Sequence, residues 1–265
     1  MAIRQYIRGR LPQARIDRVV EEVAARYDLD PTRVEPLEAD NWLSTPLVVD
    51  DSLFVKIVSD QNALVHGLLT ASRNLGALSS GSQGFFRHFH TPVEMAQHEL
   101  EATARMRDLG IDAPEPIEAF GVDGLGVAVF EYLPEFDTLG ELDPAAVRML
   151  APALFAALAT MHDAGLAHGD LREENVLVAD ARLYFIDATS VRETGMDDAR
   201  AYDVACALAA LEPLVGARCA VTAARHAYAV PDLLAAREFL DFVRVRPDHT
   251  FDAAAVKGEI EKQAT

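Results

Sequence analysis

Between residues 168 and 187 the chain reads HGDLREENVLVADARLYFID. Asp170, Asn175 and Asp187 offer two carboxylates and one amide, with two short apolar runs, VLVA and LYFI, before the last of them. Gly169 allows a tight bend, and the residues after it form a loop that presents Asp170 and Asn175 on one side. A hairpin built from the two apolar runs then returns the chain, so that Asp187 comes back toward the same place. Mg²⁺ takes a few hard oxygen ligands and completes its shell with substrate phosphates. Asn175 and Asp187 suit that role, and Asp170 is left as a base or as the group that orients an attacking hydroxyl. The chemistry such a set could do is phosphoryl transfer from a nucleotide.

Such chemistry also needs a cation on the nucleotide phosphates. FVKIV sets Lys56 between β-branched neighbours on the inward side of a strand. Only three of the 24 basic residues are lysine: Lys56, Lys257 and Lys262. A compact ammonium here, in a chain that otherwise uses Arg, indicates that a point charge on a flexible stem is required. A carboxylate must orient it, and HELEATARMRDLG carries Glu99 and Glu101. These lie about 200° apart around a helix, so only one of them faces inward.

The elements that must position these groups can be read from periodicity. Residues 12–28 have helical spacing, VEPLEA reads as a strand, and PLVVDDSLFVKIVS reads as two strands about a turn at Asp50, Asp51 and Ser52. From Gln61 to Thr91 the pattern is irregular, with LSSGSQG as a loop. MAQHELEATARMRDLG reads as a helix ending at Gly110. PIEAFGV and LGVAVFEYL make two strands joined by Asp123-Gly124, and the chain turns helical from about Pro144. A strand-rich first half before a helix-rich second half predicts an α+β fold of two lobes, the site lying in the cleft between them. The expected parts are a helical extension over 1–33, a first lobe over 34–132 with an insert at 61–91, and a second lobe over 133–265.

With a net charge of −18 the chain repels polyanions, so direct nucleic-acid binding is not expected. Acid excess with Arg in place of Lys resembles the proteomes of haloarchaea. Cys206 and Cys219 lack CxxC spacing and read as thiols of a reducing compartment. MAIRQYIRGR lacks the apolar core of a signal peptide, and the Ala-rich stretch 145–167 carries Arg148, His162 and Asp163. A cytoplasmic chain that spans no membrane is expected.

Taken together, FVKIV, the helix ahead of IDAPEPI, VAVFEYL, HGDLREEN and FIDATSV resemble the protein-kinase-like fold, and in particular the RIO-type atypical kinases, from about Val34 to Gly216. The resemblance implies ATP and Mg²⁺ as cofactors, Lys56 on the phosphates, and Glu99 rather than Glu101 as its partner. It makes Phe130 the gatekeeper and puts the backbone of Glu131 and Leu133 at the adenine. It implies Asp170 as the catalytic aspartate, Asn175 and Asp187 as metal ligands, and Asp203 in AYDVACAL as a brace for the catalytic loop. It further implies a flexible insert between Lys56 and Glu99, a protein or ribosome-assembly partner, and an aspartyl-phosphate route through Asp187.

Two departures bear on function. Where the family carries a small-residue phosphate loop, this chain has ADNWLSTP, without glycine; Ser44 and Thr45 can donate hydroxyls there, and Trp42 packs or covers the nucleotide. Only fifteen residues separate Asp187 from Asp203, too few for a peptide-docking activation segment. Three functions follow: a RIO-type kinase or ATPase acting on protein Ser/Thr, itself or water; a small-molecule kinase of the aminoglycoside or choline type; or a nucleotide-binding scaffold. His168 reads as a buried bracing residue bonded to backbone near Asp187. His88 and His90 read as loop surface for want of a third metal ligand, and Arg4, Arg8 and Arg10 as a solvated terminus. The helical segments PDLLAAREFLDFV and DDARAYDVACALAALEPLVG read as core.

Overall fold

Apolar side chains every three or four residues make Gln13–Tyr27 an amphipathic helix, α1, whose Val19 and Val23 are wholly buried. A computed structural model describes residues 11–37, 44–62, 89, 91–188, 195–246 and 249–264. Most of the expected insert at 61–91 lies outside the described residues, as do Trp42, His88, His90, Arg4, Arg8, Arg10 and the Thr189-Ser190-Val191 part of FIDATSV. After α1 come β1 (Val34–Pro36), β2 (Thr45–Val49), β3 (Leu53–Val58), helix α2 (Pro92–Asp108), β4 (Pro116–Val122) and β5 (Leu125–Glu131). The five strands form one antiparallel sheet in the order β1-β2-β3-β5-β4.

The sheet follows from alternation and from its turns. Asp50 and Asp51 (φ 49° and 50°) join β2 to β3, and Asp123 and Gly124 (φ 49° and 75°) join β4 to β5. Two successive left-handed residues match the twist of the strands they connect. On β3, Val55 and Ile57 point into a core with Val19, Val23, Leu47, Val127 and Val129. Phe54 and Lys56 therefore point to the opposite face, where Phe54 packs with Ala96, Leu100, Ala128 and Phe130. The N-terminal helix is thus part of the core of this unit, which holds the described residues up to 62, 89–104 and 114–134.

The second unit holds residues 105–113 and the described chain from 135 on. It comprises β6 (Asp137–Thr138), α3 (Pro144–Asp163), β7 (Val176–Ala179), β8 (Arg182–Phe185), α4 (Met196–Val215), α5 (Ala217–Ala224), α6 (Val230–Val245) and α7 (Ala253–Gln263). Asp143 caps α3 by accepting from the Ala145 N–H, with Pro144 in the first turn. By length and composition α3 is long and apolar enough to cross a membrane. Val147, Leu154, Phe155, Leu158 and Met161 on it are buried. β7 and β8 form the expected hairpin, closed by Asp180 and Ala181 (φ 50° and 58°), and β6 adds a third strand beside β7. Cys206 is buried, Cys219 is half-buried, and both are free thiols.

Candidate active site

In the first unit the strand lysine meets its carboxylate. Lys56 Nζ donates to Glu99 Oε1 at 2.7 Å, with side chains 5% and 17% exposed. Sheet register places Lys56 opposite Ala128, and helical phase turns Glu99 toward it while Glu101 faces solvent. Taking both charges out of water costs several kcal/mol per ion, roughly cancelling their attraction, so the pair is poorly explained as a stabilising device. The helix that carries Glu99 starts close against the sheet. A Cβ on Gly126 of β5 would lie 2.0 Å from the Pro92 carbonyl oxygen, so only glycine permits this approach. Phe130 is buried against Phe54, with ring centroids 6.4 Å apart. The Glu131 N–H donates to Glu115 and the Tyr132 N–H to Ser52. Leu133 is half-buried and Thr45 opens β2. Ser44, 6% exposed, has a buried hydroxyl with no hydrogen-bond partner among the described residues.

In the second unit the loop ahead of the hairpin is held from beneath. Asp203 on α4 accepts from the backbone N–H of His168 (2.6 Å) and of Gly169 (2.8 Å). It also meets His162 Nε2 at 3.1 Å, and the other nitrogen of that ring meets the Tyr228 hydroxyl at 2.8 Å. Asp203 serves as the acceptor for the two backbone N–H groups, and the His162 ring bridges it to the Tyr228 hydroxyl. Burial pushes the Tyr228 phenol up. Burial likewise pulls the His168 imidazole down, against Asp203, Asp170 and Asp187, and the ring hydrogen-bonds the Ile186 backbone. Within this frame Asn175 Nδ2 donates to the Asp170 carbonyl at 2.8 Å, and the Ile186 N–H donates to the Asn175 carbonyl at 3.1 Å. Asp170, Asn175 and the strand end leading into Asp187 are thereby tied together. Asp187 itself has φ 60°, a left-handed backbone that Asp tolerates better than most residues and that redirects the chain as it leaves β8.

The donor set suits magnesium: an amide oxygen and a carboxylate, both hard ligands, too few for an all-protein cage and enough for an ion that also takes phosphates. Among the described residues no cluster of three or more His, Cys, Asp or Glu side chains could hold a metal unaided.

Sequence reasoning missed three participants, Arg246, His162 and Tyr228. Arg246, directly after α6, places Nη2 2.7 Å from Asp170 Oδ1, with both side chains 8% exposed. A second guanidinium, Arg172, brings Nε to 3.6 Å from Asp170 Oδ2. No local pattern marks Arg246, because its partner lies 76 positions upstream. His162 and Tyr228, the supports of Asp203, were missed for the same reason; an isolated histidine in a helical apolar run was the only signal.

Residues 87–205 match the family model of the RIO domain. Among solved structures the chain is similar to an aminoglycoside-3'-phosphotransferase of type VIII, with a TM-score of 0.52 and 16% identity over 85% of this chain and 97% of that one. It is also similar to choline kinase LicA from Streptococcus pneumoniae, with a TM-score of 0.49 and 13% identity over 94% and 98% of the two chains. The kinase domain of Mycobacterium tuberculosis PknI gives a TM-score of 0.42 at 15% identity, over 89% and 98%. At these identities the likeness is one of fold. No curated protein matches the chain. Family match and fold together support a kinase-like phosphotransferase with a β-sheet unit and a helical unit.

Proposed function

We propose, from the match of residues 87–205 to the RIO domain model, that the chain is an ATP- and Mg²⁺-dependent kinase or ATPase. It transfers the γ-phosphoryl group to a protein Ser/Thr, to itself or to water. The observation that carries the reading is the buried Lys56–Glu99 pair. A buried pair of this kind is expected to add little net stability, and its ammonium stands on a strand, as the resemblance expects of a phosphate-binding lysine. On this reading Lys56 grips the α/β phosphates with Glu99 fixing its direction, and the Ser44 and Thr45 hydroxyls add donors. Asn175 and Asp187 hold the metal, which when bound neutralises charge on the phosphates. Asp170 orients the attacking group, and Phe130 with the Glu131 and Leu133 backbone lines the adenine. Catalysis is positioning plus charge neutralisation. Labelled ATP with Mg²⁺ and the protein alone, in high salt, should give autophosphorylation or phosphate release that Asp170→Asn abolishes. Bound but unconverted ATP would leave the scaffold reading, which the glycine-free ADNWLSTP segment favours.

A second enzymatic reading is a small-molecule kinase. The fifteen residues between Asp187 and Asp203 leave no peptide platform, and the fold is shared with an aminoglycoside phosphotransferase. Turnover that begins only when a hydroxylated metabolite is added would support it. An acid-labile, hydroxylamine-sensitive label would mark an aspartyl phosphate on Asp187, and an acid-stable one a Ser/Thr phosphate.

A further inference from the structure

Arg246 is the first residue beyond α6, and its guanidinium joins three parts of the second unit. One nitrogen donates to Asp170 Oδ1 at 2.7 Å, and another donates to the hydroxyl of Tyr202, which is itself fully buried. Tyr202 stands on α4 next to Asp203, the residue that holds the His168 and Gly169 N–H groups. The catalytic loop is therefore fixed twice from neighbouring positions of one helix: its backbone by Asp203, and its key carboxylate by Tyr202 through Arg246.

A carboxylate held only by its own side-chain torsions samples several orientations. A planar guanidinium anchored on a second, immobile group restricts it to one, which a flexible ammonium cannot do as well. A buried ion pair roughly breaks even against an apolar pair of the same volume, so packing alone gives no reason for a cation at this spot.

We propose that Arg246 is a positioning residue for phosphoryl transfer, setting the orientation in which Asp170 meets the attacking group. The inference rests on the phosphotransferase reading above. It concerns the rate of the chemical step and not nucleotide binding, because the proposed nucleotide contacts come from other residues.

The test uses the full chain with ATP and Mg²⁺, following turnover, KM for ATP and melting temperature. Arg246→Ala should lower kcat about a hundredfold, the scale of loss expected when a reacting group is misplaced by about 1 Å. KM for ATP should stay within about twofold, since uniform binding is untouched. Arg246→Lys should recover part of the rate. Tyr202→Phe, which removes only the anchoring hydroxyl, should lower kcat severalfold at unchanged KM, and it serves if Arg246→Ala does not fold. The exposed Arg244→Ala is the control and should behave as the parent. Unchanged kcat in both Arg246→Lys and Tyr202→Phe would overturn the inference alone. So would a loss in which kcat, KM and melting temperature deteriorate together, the mark of a merely structural tie. A parent chain that binds ATP without turnover would overturn the catalytic reading, and this inference with it.

Discussion

Lys56 is where strand periodicity and chemistry meet. FVKIV exposes the lysine to sequence reading because its neighbours Val55 and Ile57 go to the opposite face. A lysine facing an open cleft could be removed at no cost to the fold, whereas this one is 4% exposed and paired. Lys56→Met should abolish turnover and also destabilise the chain by about 1–3 kcal/mol, because Glu99 loses its ammonium in a mostly desolvated site. Pairing it with Glu99→Leu should restore much of the melting temperature and none of the activity. Cys206 offers a second residue-scale prediction. Burial is the main cause that pushes its thiol up to about 12. The folded state thus keeps a proton that the unfolded state releases near its own, lower pKa of about 8.5. Stability from this group is complete below that value and is lost as pH rises above it. Cys206→Ala should flatten the alkaline decline of the melting temperature, and thiol reagents should label half-buried Cys219 before Cys206. Arg246 and His162 could not be read in this way, since contacts 76 and 41 positions apart leave no periodic trace.

At the scale of elements, turns and caps were the more legible part. Asp-Asp, Asp-Gly and Asp-Ala each close a hairpin with two left-handed residues. Ala181 is the least suited of these, so Ala181→Gly should raise stability by about 0.5–1 kcal/mol, measured as a small rise in denaturant midpoint. Helix α2 begins at Pro92, three residues before the expected Met95, and the signal was present. TPVE is a capping sequence, in which the Thr91 hydroxyl accepts from the Glu94 N–H at 3.2 Å. The two-residue strand β6 carries no readable alternation and is defined only by its partner. Gly126→Ala should cost about 1–3 kcal/mol through the clash with Pro92, and should raise KM for ATP by moving Glu99 off Lys56. Asp203→Ala should cost about 3 kcal/mol or more and abolish turnover, since two backbone N–H groups and His162 lose their acceptor. A melting temperature equal to the parent's would remove the bracing role.

For the whole molecule, segregation of strands from helices made the α+β class readable, while the packing of α1 into the sheet's core was not evident from its position at the start of the chain. The excess of 42 acidic over 24 basic residues acts through long-range repulsion. Raising salt from about 0.1 M to about 1 M shortens the Debye length from about 10 Å to about 3 Å, and the melting temperature should rise accordingly. The Lys56–Glu99 and Arg246–Asp170 pairs are nearly out of solvent and are screened far less. High salt should therefore relieve the surface without loosening the site.

The turn of backbone at Asp187 has an evolutionary corollary. Asparagine accepts a positive φ as readily as aspartate, so exchanging one oxygen for nitrogen would keep the shape of the strand exit while weakening the hold on a cation. On the proposed reading, an active enzyme and a silent paralogue of this architecture stand one substitution apart, with no fold barrier between them.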